Sequence, residues 1–173
     1  MGGKRGASPA AGQVVVTNGP MLRARVEGEL PGHVFRGRTG ETLNLQPEVK
    51  LSVKEKVDYL EIVKNGRVVH AVSLQGGAGG KLPPLQFEES GWFLIRVRSP
   101  SQETYRFAST GPFYVEFEKP RISRRAAEFF ADWVAGELKE IDIDDPESRL
   151  EMQSLYEQAE DFWRTKAAEA TAD

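Results

Sequence analysis

Between Val14 and Phe117 the apolar residues tend to recur at every second position, whereas after Pro120 they recur at every third or fourth. Side chains alternate across a strand and line one stripe of a helix, so the first part predicts strands and the second predicts helices.

The alternation is plainest from Met21 to Glu27. Leu22, Ala24 and Val26 fall on one side, and Arg23, Arg25 and Glu27 on the other, the pattern of a half-buried strand. Ahead of it, Val14-Val15-Val16 is a short β-branched run that Thr17-Asn18-Gly19-Pro20 breaks, and Leu30-Pro31-Gly32-His33 reads as a turn. Thr42 to Leu45 and Val49 to Val53 are further short extended segments. The clearest local feature is a pair of β-rich runs, Tyr59 to Val63 and Val68 to Val72, around Asn65-Gly66. Asn and Gly both tolerate positive φ, which a two-residue hairpin turn requires. Gln75 to Gly80 reads as a flexible glycine loop, Leu85 to Phe87 as a short strand, and Glu89-Ser90-Gly91 as a turn. In the run Trp92 to Arg98, Phe93, Ile95 and Val97 face one way while Arg96 and Arg98 face the other. Tyr105 to Ala108 and Phe113 to Phe117 complete the set, joined through Ser109-Thr110-Gly111-Pro112. These seven to nine short strands, separated by turns, predict an immunoglobulin-like antiparallel β-sandwich over residues 13–118.

After Pro120, Ser123 fits an N-cap, with Ile122 before it able to staple onto Ala127. Ala126, Phe129, Phe130, Trp133, Val134 and Leu138 then form one apolar stripe of a helix from about Arg124 to Glu140. Asp145 caps a second helix with Pro146 at its first position, where the missing N–H costs nothing. Its stripe is Met152, Leu155, Tyr156, Ala159, Phe162 and Trp163. The short connection predicts an antiparallel helical hairpin over 119–168, packed on the sandwich. Stripes this aromatic are expected to be covered, by each other or by a sheet face. Residues 1–12 read as a disordered leader and 169–173 as a frayed tail.

Composition narrows the chemistry. The chain has 173 residues and no cysteine, which excludes disulfides, thiolate metal sites and cysteine nucleophiles. Its length suffices for a real core without such staples. A net charge of -3 gives no general attraction to nucleic acid, and none is expected as a partner. Residues 119–173 are the acidic part, with 8 Lys/Arg against 14 Asp/Glu. The leader has Lys4 and Arg5 but no apolar run after them, unlike a secretory signal, and no stretch is apolar enough to suggest a membrane span. A soluble protein is expected.

Candidate sites are sparse. His33 and His70 stand alone in a turn and a strand, without the close spacing of metal-binding histidine pairs. Asp142, Asp144 and Asp145 resemble the start of a calcium loop, but Glu147 and Gln153 occupy the positions that need glycine and glutamate. Helix capping accounts for them better. The serines form no nucleophile elbow, and Gly76, Gly77, Gly79 and Gly80 lack the ending of a phosphate loop. No catalytic residue, cofactor or metal is therefore expected. Arg23, Arg25, Arg36, Arg38, Arg96, Arg98 and Arg106 could make a basic face, although alternating arginines usually mark the solvated side of a sheet. The best candidate binding surface is Trp92, Tyr105, Arg96 and Arg98, where aromatic rings and guanidinium groups fall close together in sequence.

Several segments together resemble the C-terminal accessory region of bacterial PHP-type metallohydrolases of the CehA/McbA-like branch. They are Val15 to Leu22, Val26 to Gly32, Leu60 to Gly66, Ser90 to Arg96 and Ala108 to Val115, followed by Ala126, Phe129 and Trp133 on a helix. Their order and spacing, over roughly residues 13–165, carry the likeness. In that family a histidine- and aspartate-rich barrel precedes this region, and nothing here corresponds to it. The resemblance implies a non-enzymatic accessory domain that packs against, shapes or oligomerises a metallohydrolase catalytic domain, with self-association as another partner. The alternative is a free-standing ligand- or glycan-binding module using Trp92 and Tyr105. A weaker third reading is a small hydrolase built on His33 or His70.

Overall fold

The computed structural model describes residues 14–54, 57–74, 82–99 and 105–173. The expected leader and the glycine loop at Gln75 to Gly80 lie outside the described residues. The chain divides into two compact units, Met1–Glu118 and Lys119–Asp173.

The first unit is mainly β. Its strands are β1 (Val15–Thr17), β2 (Met21–Val26), β3 (Val34–Gly37), β4 (Leu43–Leu45), β5 (Pro47–Ser52), β6 (Tyr59–Lys64), β7 (Arg67–Ser73), β8 (Leu85–Phe87), β9 (Gly91–Arg98), β10 (Phe107–Thr110) and β11 (Phe113–Phe117). Seven of them form one sheet around β9. β6 runs along one side of β9 and carries β7, while β10 and β11 share its other side and carry β1 and β3. The two-stranded ladders β2–β5 and β4–β8 supply the second layer. Leu22, Ala24 and Val26 of β2 and Leu85 and Phe87 of β8 cluster with Leu60, Ile62, Phe93, Ile95, Val97, Phe113 and Val115. The Phe93 ring stacks on Phe113 at 5.1 Å and lies 5.6 Å from Phe87. Each such ring contributes about 1.5–3 kcal/mol by leaving water.

Several elements follow directly from their residues. Asn65 and Gly66 take φ of 48° and 83°, so β6 and β7 close through a tight two-residue turn. Glu27 and Gly28, at 49° and 80°, close another, with Val26 and Glu29 exchanging backbone hydrogen bonds. Pro47 sits at the first position of β5, where a strand tolerates it.

Other elements depart from the sequence-based expectation. β3 is an additional strand, and it pairs with β11 in parallel where the rest of the ladders are antiparallel. It ends at Gly37, directly against the Phe117 ring: a Cβ there would lie 2.3 Å from Phe117 Cε1. β10 reaches Thr110, so Ser109 and Thr110 are strand and not turn. Thr110 is buried, and its Oγ1 accepts from the Ile95 backbone N–H at 3.1 Å.

The second unit is a two-helix hairpin, α1 (Arg124–Lys139) and α2 (Pro146–Ala168). Ser123 and Asp145 cap them, accepting from the N–H groups of Ala126 and Ser148. The helices meet through Ala127, Ala131 and a stack of Phe130 on Trp163 at 4.7 Å. Of the expected stripe on α1 the hairpin seam buries the Ala127 and Ala131 side, while Phe129, Trp133, Leu155 and Phe162 are exposed.

The expected frayed tail is instead pinned. Arg124 N–H donates to Ala172 O at 2.7 Å, Thr171 and Ala172 N–H donate to Ile122 O, and Ile122 N–H donates to Thr171 Oγ1. Such long-range bonds satisfy backbone groups that a helix start leaves without partners. No helix among the described residues is long and apolar enough to cross a membrane.

Candidate functional site: the outer face of the large sheet

Alternation fixes which side chains leave the core. With Phe93, Ile95 and Val97 turned inward, Trp92, Leu94, Arg96 and Arg98 stand on the outer face of β9. Register carries neighbours onto that face: Tyr59, Glu61 and Val63 from β6, Phe107 and Ser109 from β10, and Tyr114 opposite Trp92 from β11. Tyr105 stacks on Phe107 at 5.7 Å. The four residues Trp92, Tyr105, Arg96 and Arg98 therefore all belong to one side of one sheet.

At its centre is a clamped carboxylate. Arg96 Nε donates to Glu61 Oε2 at 2.7 Å, and Arg98 Nε donates to Glu61 Oε1 at 2.8 Å. The Glu61 side chain is 3% exposed while each arginine is 39% exposed. Burial pushes the Glu61 carboxyl up, but the hydrogen bonds and charges of Arg98 and Arg96 outweigh it and hold the group below the usual carboxylate range. Arg98 is held above its ordinary value by Glu61, and its guanidinium lies 5.4 Å from the centre of the Tyr59 ring. Charge-assisted bonds of this kind fix both arginines, each still part-exposed, against the sheet.

Around the clamp lie apolar and aromatic groups. Trp92 and Leu94 are half-buried, and Tyr105 and Tyr114 are exposed. The arrangement offers flat apolar area with fixed cationic donors.

Glu61 and Tyr114 were not singled out by the linear pattern. Glu61 lies inside an otherwise apolar run, and its meeting with β9 is a matter of register between distant segments. A glutamate in phase with Tyr59 and Val63, facing a strand with two alternating arginines, was the available signal.

The other candidates are dispersed. Arg23 and Arg25 stand on β2, in the other layer, beside a groove of about 390 Å³ that Lys50 and Glu48 also line. Arg25 Nη1 donates to Gly28 O, and Arg36 pairs with Glu116 at 3.4 Å. Arg106 Nη1 donates to Asn18 O. The seven arginines thus do not form one basic face. His33 Nδ1 lies 3.4 Å from Glu29 Oε2 on the surface, against Phe35, while His70 is on β7 opposite Ile62. Among the described residues no three His, Asp or Glu side chains converge as metal donors. Asp145 spends its carboxylate on the Ser148 N–H. No protein-family model, curated protein or solved structure matches the chain.

Proposed function

We propose that this chain is a non-catalytic accessory domain of a PHP-type metallohydrolase, an immunoglobulin-like sandwich whose outer sheet face docks onto the catalytic domain. The observation that carries this reading is that Trp92, Tyr114 and Leu94 share one sheet face with the Glu61–Arg96–Arg98 clamp. Trp, Tyr and Arg dominate the energetics of protein interfaces. Arginines already fixed by Glu61 lose little freedom on binding, which favours affinity.

The test is calorimetric titration of the full chain with a purified PHP-type catalytic domain of the CehA/McbA-like branch. Saturable binding is expected, weakened about tenfold or more by Trp92→Ala or Tyr114→Ala. Absence of binding by the unaltered chain overturns the proposal.

A glycan-binding module is the second reading, favoured by the exposed ring of Tyr105 stacked on Phe107. Oligosaccharide binding that Tyr105→Ala abolishes, with no binding to the catalytic domain, would put it first.

A further inference from the structure

Among the described residues β2 pairs with β5 alone, and the groove of about 390 Å³ borders its other edge. The direction of the backbone groups on β2 follows from the turn that ends it. Val26 and Glu29 exchange both backbone hydrogen bonds, at 3.0 and 2.8 Å, and Pro47, opposite Val26 on β5, has no N–H to give. The backbone polar groups of Val26 therefore point away from β5. In an antiparallel ladder this direction alternates residue by residue, so those of Leu22 and Ala24 point the same way. Glu27 N–H, out of phase with them, turns to Gln46 O on the β5 side. Leu22 and Ala24 both line the groove.

Val15, Leu30 and Pro31 give the groove apolar walls. Glu29 pairs beside Val26, and the chain then turns away, with His33 N–H donating to Leu30 O and Gly32 N–H to Pro112 O. Beside Ala24 and Leu22 the ladder is not continued among the described residues. An α-helix spends its backbone groups on itself, so an edge of this kind is completed by an extended segment.

Charge selects the segment. Arg23 stands directly opposite Lys50, and Arg25 opposite Glu48, all four lining the groove. Arg25 is further held by Gly28 O. Arg23 and Lys50 are both exposed, and among the described residues neither meets an acid at ion-pair distance. Like charges directly opposite weaken a ladder, and a carboxylate set beside this pair relieves the repulsion. Residues 1–13, with Lys4, Arg5 and no acid, carry the wrong charge for that place.

We propose that this groove binds an extended acidic segment of a partner protein, which adds to β2 as a strand. Its main chain bonds the N–H and C=O groups of Leu22 and Ala24. Successive side chains of a strand fall on opposite faces. Those level with Leu22 and Ala24 are apolar and meet Val15, Leu30 and Pro31, and those level with Arg23 and Lys50 are carboxylates. None of these residues belongs to the outer-face cluster invoked above, so the proposal stands independently of it.

Amide NMR of the full chain tests it, with a blocked octapeptide of alternating valine and glutamate as the probe. In the chain alone, the Leu22 and Ala24 amides should exchange faster than those of Arg23 and Arg25, which face β5. Peptide at about 1 mM should shift and protect the Leu22 and Ala24 amides. Methylating the valine nitrogens keeps the charge but removes the edge bonds, and should weaken binding about tenfold or more. Arg23→Glu with Lys50→Glu should weaken it by a similar factor and transfer the preference to the valine–lysine peptide. Leu22 and Ala24 amides already as protected as their neighbours would show the edge to be covered within the chain, and would overturn the proposal. So would no response to the glutamate peptide, equal binding of the methylated one, or an unchanged preference after charge reversal.

Discussion

Arg98 donates from Nε to Glu61 Oε1 at 2.8 Å, and the carboxylate that accepts is nearly buried while the guanidinium is not. This asymmetry sets what each deletion costs. Removing Glu61 leaves two part-exposed cations that water can reach, so Glu61→Gln should cost only about 1–2 kcal/mol. Removing Arg96 and Arg98 together leaves a buried carboxylate bare, and the double alanine variant should lose about 3–5 kcal/mol. Urea unfolding of the three proteins checks the order, and a Glu61→Gln loss exceeding that of the double variant would contradict it.

The same carboxylate predicts an acid-dependent term. Its folded pKa is depressed, so its contribution is complete above the unfolded value of about 4.3 and is lost as pH falls through the folded value below that. The difference in melting temperature between the unaltered chain and Glu61→Gln should be constant at neutral pH and shrink in acid. A gap that widens on acidification would show the sign to be wrong.

Gly37 is required by closeness and not by backbone angle. Its missing Cβ leaves room for the Phe117 ring where β3 and β11 pair, and alanine there would meet Phe117 Cε1 at 2.3 Å. Gly37→Ala should destabilise by about 1–3 kcal/mol through overpacking. Phe117→Leu should recover part of that loss in the double variant, read by denaturant midpoints.

Elements set by neighbouring residues were legible in the sequence, and elements set by distant partners were not. The inward residues of β2 and the caps at Ser123 and Asp145 follow from local pattern. So does the Asn65-Gly66 turn, which further register consolidates through Asn65 Oδ1 accepting from Trp92 N–H at 2.9 Å. β3 escaped notice because four residues with an arginine and a glycine show too little alternation, and β11 is what makes them a strand. The helical stripes were visible, but which side of α1 the seam would bury was not. At the candidate surface, Arg96, Arg98 and Trp92 could be read from alternation in β9, whereas the Glu61 clamp needed the pairing of β6 with β9.

The C-terminal tail should matter to helix stability. Thr171 Oγ1 accepts from Ile122 N–H and donates to Pro120 O, and Ala172 O accepts from Arg124 N–H. Removing residues 169–173 should speed hydrogen exchange at the Ile122 and Arg124 amides and lower the melting temperature of the helical unit. Thr171→Ala alone should cost about 1 kcal/mol. Unchanged exchange at Ile122 after truncation would mean that the tail bonds do not hold the helix start.

Hydrogen–deuterium exchange of the full chain, with and without the PHP-type catalytic domain, tests the account most directly. Binding should slow exchange along β9 and its outer-face neighbours β10 and β11, with the β2–β5 ladder unaffected. Protection confined to the β2–β5 ladder, or no protection under saturating partner, would contradict the assignment of the outer sheet face as the docking surface.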